Sequence, residues 1–318
     1  MANTYTGTAT ISNQTGMTNL VQTAYDRYVE MALRSQPLIR DIADKRPVQQ
    51  AMPGSSVVFQ IYADLAQATG TLTENVDPDA VALSNTSTVT VTLNEYGNTA
   101  LLTRKLGLFS LSDVDPAAAD IIAYNMADSL DAVVMTELRG GSNVRFARDS
   151  SDTPTQTSEV EITDIIKADD IRFVVAKLRA NLAVPRNGSL YAAYIHPEVS
   201  FDLRKEATGG GFQDLHKYDA TENFWPGFIG TFEGAYFIET PRMYSATDGT
   251  SSAKVYRTIV VGKQALAEAV AEEPHTIMGP VTDKLMRHRP LGWYGVLGWK
   301  RYREAALYRI ESASSINA

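Results

Sequence analysis

Residues 57–62 read Val57-Val58-Phe59-Gln60-Ile61-Tyr62, and residues 88–94 read Thr88-Val89-Thr90-Val91-Thr92-Leu93-Asn94. Both stretches alternate. Val57, Phe59 and Ile61 oppose Val58, Gln60 and Tyr62, and Val89, Val91 and Leu93 oppose Thr88, Thr90, Thr92 and Asn94. A period of two over this length predicts strands. Between them, residues 63–87 keep no regular period and contain Gly70 and Asp77-Pro78. So long a connection is uncommon in a compact domain unless it has a task. Two strands joined by a long polar tip are marginally stable in water, so the hairpin must be covered by the rest of the chain or by another copy.

On the N-terminal side, residues 1–17 are small and polar and predict an extended arm. They lack the basic start and apolar run of a signal peptide. No apolar stretch of about 18 residues occurs anywhere, so no membrane span is expected. Thr18 is placed to cap a helix carrying Leu20, Val21, Ala24, Tyr28 and Met31, and a second short helix is expected over Leu38 to Asp44. On the C-terminal side, Asp113 or Asp115 offers an N-cap and Pro116 suits a first turn. Ile122, Met126, Leu130, Val133, Val134 and Leu138 then recur at helical spacing until Gly140-Gly141 ends the run. Residues 116–139 at ~1.5 Å each give a rod of roughly 36 Å.

Further along, Asp149 to Ser158 reads as a loop and Thr163 to Leu182 as a helix. A strand is predicted over Ser189 to Ile195 and a short helix over Val199 to Lys205. Phe228 to Glu239 and Val255 to Val261 read as strands, Ser245 to Ala253 as a surface loop, and Gln264 to Ala271 as a short helix. There is no internal repeat.

The chain has 318 residues, 44% of them hydrophobic, enough for a sizeable core in roughly two domains or one elaborated fold. It has no cysteine, so neither disulfides nor thiolate-bound metal contribute, as suits a reducing cytosol. The net charge is −8, yet Lys284 to Arg309 holds seven Lys or Arg against the single Glu304. The rest is therefore strongly acidic, which argues against tight sequence-independent binding of nucleic acid and favours solubility at high concentration.

No constellation points to catalysis. His196, Glu198 and Asp202 do not match a zinc-hydrolase pattern, and Pro197 breaks a shared helical face, so a strand-to-helix turn with a polar cap is expected. Gly209-Gly210-Gly211 lacks the spacing and the Lys-Ser/Thr pair of a phosphate loop. With four histidines (His196, His216, His275, His288) and no Gly-x-Ser-x-Gly elbow, nothing supports a nucleophile triad. No catalytic residue, metal or cofactor is expected. Arg287, Arg289, Lys300, Arg301 and Arg303 with Trp293 and Trp299 are a mixture that can stack and pair with single strands. The commoner outcome puts the aromatics in the core and the cations on a solvated or intersubunit face.

Local strings add a family likeness. Tyr194-Ile195-His196-Pro197-Glu198-Val199 with Asp202-Leu203-Arg204 resembles a coat-protein motif. So do Gly227-Phe228-Ile229-Gly230 leading to Phe237-Ile238-Glu239-Thr240, Val260-Val261-Gly262-Lys263-Gln264-Ala265-Leu266, and Gly298-Trp299-Lys300 followed by Ala305 to Ile310. In this order they resemble the major capsid proteins of tailed bacteriophages with the Hong Kong 97-type (HK97-like) fold. The resemblance implies an α+β capsid fold with an N-terminal arm and helix (1–54), an extended hairpin loop (55–112), a spine helix and peripheral domain (113–159), an axial domain (160–270) and a return to the peripheral domain (271–318). It implies hexamers and pentamers in a virion shell around double-stranded DNA bound without sequence specificity, and assembly in the bacterial cytoplasm. It also implies a portal, a decoration protein and, because so few residues precede the hairpin, a separate scaffolding protein. The expected intersubunit contacts are Leu72, Val76 and Val81 at the hairpin tip, and Arg287, Arg301 and Arg303 in the basic segment. The rival reading is a soluble α+β enzyme with an unrecognised site.

Overall fold

In the computed structural model, the residues described are 39–47, 56–62, 65, 67–72, 74, 75, 77, 81, 85–109, 114–149, 153–206, 228–280, 283 and 285–317. The helix expected from Thr18, the triple glycine at 209–211, His216 and Val76 lie outside them.

The fold is α+β, and the described residues form three sheets. The first is four-stranded, in the order β1 (Asp44–Pro47), β11 (Leu266–Met278), β12 (His288–Arg301), β4 (Asn94–Thr103). The second is seven-stranded: β5 (Val144–Phe146), β13 (Leu307–Ser312), β10 (Val255–Val261), β6 (Tyr191–Ile195), β8 (Ala235–Glu239) and β7 (Phe228–Phe232), with β9 (Ser245–Ala246) also on β10. The third is a two-stranded ribbon, β2 (Ser56–Tyr62) with β3 (Asn85–Thr92), antiparallel with Phe59 opposite Val89 and Val57 opposite Val91. Among the described residues, four α-helices accompany them: α1 (Arg104–Phe109), α2 (Val114–Leu138), α3 (Ala168–Ala180) and α4 (Pro197–Lys205).

Helix α2 spans 25 residues, roughly 37 Å of rod. Ile122, Leu130, Val134 and Leu138 are buried at multiples of four residues, so one face packs against the long sheet. On the facing strand, Leu291, Trp293, Leu297 and Trp299 are buried, two apart in β12 at each step but one, in the rhythm a strand needs to present one side. Asn125 ties the layers together: its Oδ1 accepts from Trp293 Nε1 and from Asn98 Nδ2, each at 3.1 Å.

Two expected helices take other forms. Gln264 to Ala271 is rich in alanine and has high helix propensity, yet β11 begins at Leu266. It is flanked by parallel β1 and antiparallel β12, and Leu266 to Val270 are all buried. Pairing on both edges outweighs a preference of a few tenths of a kcal/mol per residue. The helix expected over Leu38 to Asp44 is a four-residue 3-10 turn, Ile39–Ile42, and Asp44 already starts a strand. The helix expected from Thr163 begins only at Ala168, because Ile165 bridges Ala313 and the Asp164 carboxylate accepts the amides of Asp149 and Glu161. Sequence reading also missed β4, which leaves the ribbon after Leu93 and pairs with β12 from Asn94 to Thr103.

Candidate assembly surfaces

The base of the ribbon is anchored on its own chain. Phe59 and Val91 are buried with Ala267 and Ala269 of β11, flanked by Val57, Leu93 and Tyr302. The Phe59 and Tyr302 rings meet edge-on at 6.0 Å, and the Tyr302 hydroxyl donates to the Gln60 carbonyl at 3.3 Å. The close approach depends on Gly298. A Cβ there would run into the Thr92 carbonyl oxygen and lie 2.9 Å from Val91 Cγ1, so no larger residue fits without moving β3. This cluster is separate from the main core, and burying Phe59 and Val91 is worth roughly 1.5–3 kcal/mol each.

Beyond that base, the described residues give no cover. Leu72 is 80% exposed and Val81 72%, and Glu74 and Asp77 are exposed beside them. Strand β4 is the outer strand of the four-stranded sheet, with no side chain fully buried, and among the described residues nothing pairs with its far edge. A ten-residue open edge without proline or lysine is a template for another chain. Helix α1 follows directly, with Leu108 72% and Phe109 78% exposed.

The cations of the C-terminal segment divide into two groups. Arg301 Nη1 donates to the Glu137 carbonyl at 3.1 Å, and its Nε lies 3.1 Å from Glu304 Oε2. Arg309 Nη1 donates to the carbonyls of Arg139 and, at 3.0 Å, Gly140. Helix α2 has no basic residue in its own last turn, so two later strands bring the positive charge its C-terminus favours. Glu304 Oε1 accepts the Ser142 amide at 2.9 Å on the other side of the turn. Arg287 pairs with Asp283 at 2.5 Å on the surface, and Arg303 is half-buried beside Glu304. The aromatics of the segment are core: Trp293 and Trp299 are 4% and 6% exposed, so neither is available to stack on a base.

A second buried network joins the seven-stranded sheet. Glu311, fully buried, lies 3.1 Å from Arg257 Nε and 2.7 Å from Arg309 Nε, and accepts from Thr157 Oγ1 at 2.6 Å. Arg257 also reaches Asp248 at 2.6 Å. Burial lowers the Arg309 pKa, with Glu311 opposing the shift.

The polar residues near His196 form the expected cap. His196 Nδ1 accepts the Glu198 amide at 3.2 Å at the start of α4. Asp202 accepts from the Ser315 amide and hydroxyl, and Glu198 binds Tyr256 and Asn317, so this turn holds the C-terminus. Among the described residues no cluster of His, Asp and Glu suits a metal ion. A cavity of about 330 Å³ beside α2 contains Asp128 and Asp131, but both are engaged. Asp128 pairs with Arg242, and Asp131 accepts the amides of Ile39 and Arg40, capping the 3-10 turn. No helix among the described residues is long and apolar enough to cross a membrane.

The profile of a family described as phage capsid protein matches residues 9–316. No curated protein sequence matches. Among solved structures, the capsid of Cyanophage Pam1 superposes with a TM-score of 0.72 at 14% identity, covering 96% of this chain and 100% of that one. The capsid of Ralstonia phage GP4 gives 0.70 at 12%, covering 96% and 98%. The acid-stable capsid of Helicobacter pylori bacteriophage KHP30 gives 0.68 at 13%, covering 93% and 96%. At such identities the likeness is one of fold, and the fold is the Hong Kong 97-type capsid fold.

Proposed function

We propose, because this chain belongs to the phage capsid protein family, that its shell-building role is carried out by the surfaces its own fold leaves uncovered. The protein is a structural, shell-forming protein of a tailed phage, and its place is the virion capsid. In the proposed shell, copies close into hexamers and pentamers through head-to-tail contacts, the geometry that makes rings. The ribbon tip, with Leu72, Val76 and Val81, lies across an adjacent subunit, and the exposed Arg287 and the half-buried Arg303 face a neighbour. Arg301 contributes to assembly by holding the end of α2. The division expected from the resemblance, a peripheral domain from 113–159 and 271–318 and an axial domain from 160–270, is proposed with one change: β5 and β13, which pair within the seven-stranded sheet, go with the axial domain. Assembly takes place in the bacterial cytoplasm with a separate scaffolding protein, a portal and a decoration protein, around DNA held without sequence readout.

The observation that carries this reading is the contrast between a buried ribbon base and an 80% exposed Leu72 at its tip. The test is size-exclusion chromatography with negative-stain imaging of the purified chain and of the chain assembled with its phage's scaffold. Rings or shells are expected. A small discrete oligomer under both conditions would return the chain to the soluble-enzyme alternative.

A further inference from the structure

The turn that leads into β6 holds the one asparagine of the chain that is followed by glycine, Asn187-Gly188; every other asparagine precedes a residue with a side chain. The turn is closed by the Leu190 amide, which donates to the Asn187 carbonyl at 2.8 Å. The Leu190 carbonyl in turn accepts the amides of Arg186 and Asn187 at 3.0 and 3.1 Å. Gly188 has a φ of +56°, and a Cβ added there would have nothing within 4 Å. A left-handed residue at this place in a tight hairpin loop calls for glycine. The asparagine before it is not held to the same account. Asn187 and Gly188 are both exposed, and among the described residues neither the Asn187 side chain nor the Gly188 amide has a hydrogen-bond partner.

Both reacting groups of a ring closure are therefore unengaged. Once the Gly188 amide gives up its proton to hydroxide, its nitrogen can attack Asn187 Cγ. The N–Cγ bond forms, the Cγ–Nδ2 bond breaks, and ammonia leaves, so the product is a cyclic imide. Water then opens the imide at either carbonyl. One opening leaves an aspartate in the ordinary chain, and the other an isoaspartate whose backbone runs through Cγ. Water is consumed and ammonia released, with no oxidant or reductant. Proximity within one pair of residues favours the closure, and the missing Cβ of glycine leaves the nitrogen unhindered. The charge setting favours the anion that forms. From residue 171 to residue 197 the sequence carries Arg172, Lys177, Arg179 and Arg186 and no Asp or Glu.

We infer that Asn187-Gly188 is a site of spontaneous deamidation, a slow self-modification that gives ageing copies of the chain an extra negative charge at the entrance to β6. Its place in the fold lets the change accumulate in folded protein. Asn187, Gly188 and Ser189 are all exposed, and full burial resumes only at Tyr191, so no core contact is lost when the turn reacts. The nearest charged residue in sequence is Arg186, whose guanidinium donates to the carbonyls of Asp41 and, at 2.8 Å, Ile42. A carboxylate one residue away competes with those neutral acceptors for the guanidinium. The modification thus bears on the hold that Arg186 keeps on the 39–42 turn.

Peptide mapping by mass spectrometry over a time course tests the assignment on the full-length chain, folded and, in parallel, unfolded in denaturant. In mildly alkaline buffer the peptide containing residue 187 is expected to gain about one dalton and to split into aspartyl and isoaspartyl forms. The folded chain should react within about tenfold of the rate of the unfolded one, since the turn withholds neither reacting group. Mildly acidic buffer should slow the gain, because less of the Gly188 amide is deprotonated. Asn187→Gln keeps the amide but lengthens the ring that must close, so the gain at this position should disappear. If thermal melts show that this variant does not fold, Asn187→Ser takes its place. A folded chain that stays unmodified at residue 187, or that reacts more slowly than the tenfold limit allows, overturns the inference. So does an equal gain, at an equal rate, in the same peptide of the variant.

Discussion

Strand β6 and the ribbon tip are extremes of one chain. All five residues of Tyr191–Ile195 are buried between β10 and β8, whereas Leu72 and Val81 stand largely in solvent. The seven-stranded sheet lies in the main core and pairs its charges within the chain, down to Glu311 between two arginines. The ribbon finishes only its base. The same hydrophobic and electrostatic forces therefore act at two levels: within the body they fold the subunit, and in the proposed shell they select another subunit at the ribbon. Altering the first region is expected to unfold the protein, and altering the second to leave it folded and alone.

The largest expected effect belongs to the second region. Deleting residues 72–82 removes the tip without touching Phe59, Val91 or Gly298, so the melting temperature should stay within a few degrees while shells disappear. Micrographs showing normal particles would break the contrast. Conversely, Glu311→Gln acts on the first region. It leaves Arg257 and Arg309 without their shared carboxylate, and breaking a buried pair costs about 3–5 kcal/mol. A lower denaturation midpoint is expected, and loss of shells only as a consequence; unchanged stability would mean that the guanidiniums find other partners.

Gly298→Val lies on the boundary between the regions. The added carbons collide with β3 at Thr92 and Val91, and overpacking of this kind costs about 1–3 kcal/mol. Because the collision is confined to the small cluster under the ribbon, shell yield should fall by more than the stability change alone accounts for. A proportional fall in both would make Gly298 a residue of the body instead.

Much of this division was legible in the sequence. Period two announced the ribbon, the 3.6 period announced α2 to within two residues at its N-terminus and one at its C-terminus, and Val255–Val261 ends where the apolar run ends. Strand β11 was hidden because its alanines favour a helix and its strand character is imposed by neighbours on both edges. Strand β4 was hidden because Asn94-Glu95-Tyr96-Gly97-Asn98 alternates weakly and takes its register from β12. The split of the basic segment was invisible for a related reason. Nothing local distinguishes Arg301 and Arg309, which cap α2 about 160 residues earlier in sequence, from Arg289 on the surface.

The smallest effect sharpens the comparison from inside the body. Burial holds the His196 pKa below its ordinary value, with Lys254 lowering it further and Glu198 and Glu239 pulling upward; the Tyr256 ring lies 4.8 Å away. A depressed histidine pKa means the folded state prefers the neutral ring, whose Nδ1 accepts the Glu198 amide. Its contribution is therefore complete above the unfolded value near 6.5 and is lost as pH falls through the folded value. Thermal melts of the wild type should drop over that interval. His196→Asn keeps an acceptor at the N-cap but cannot titrate there, so it should flatten this part of the pH profile while leaving assembly at neutral pH unchanged. An equally steep profile in the variant would assign the acid sensitivity to other groups. A loss of shells at neutral pH would show that the turn holding the C-terminus also takes part in contacts between copies.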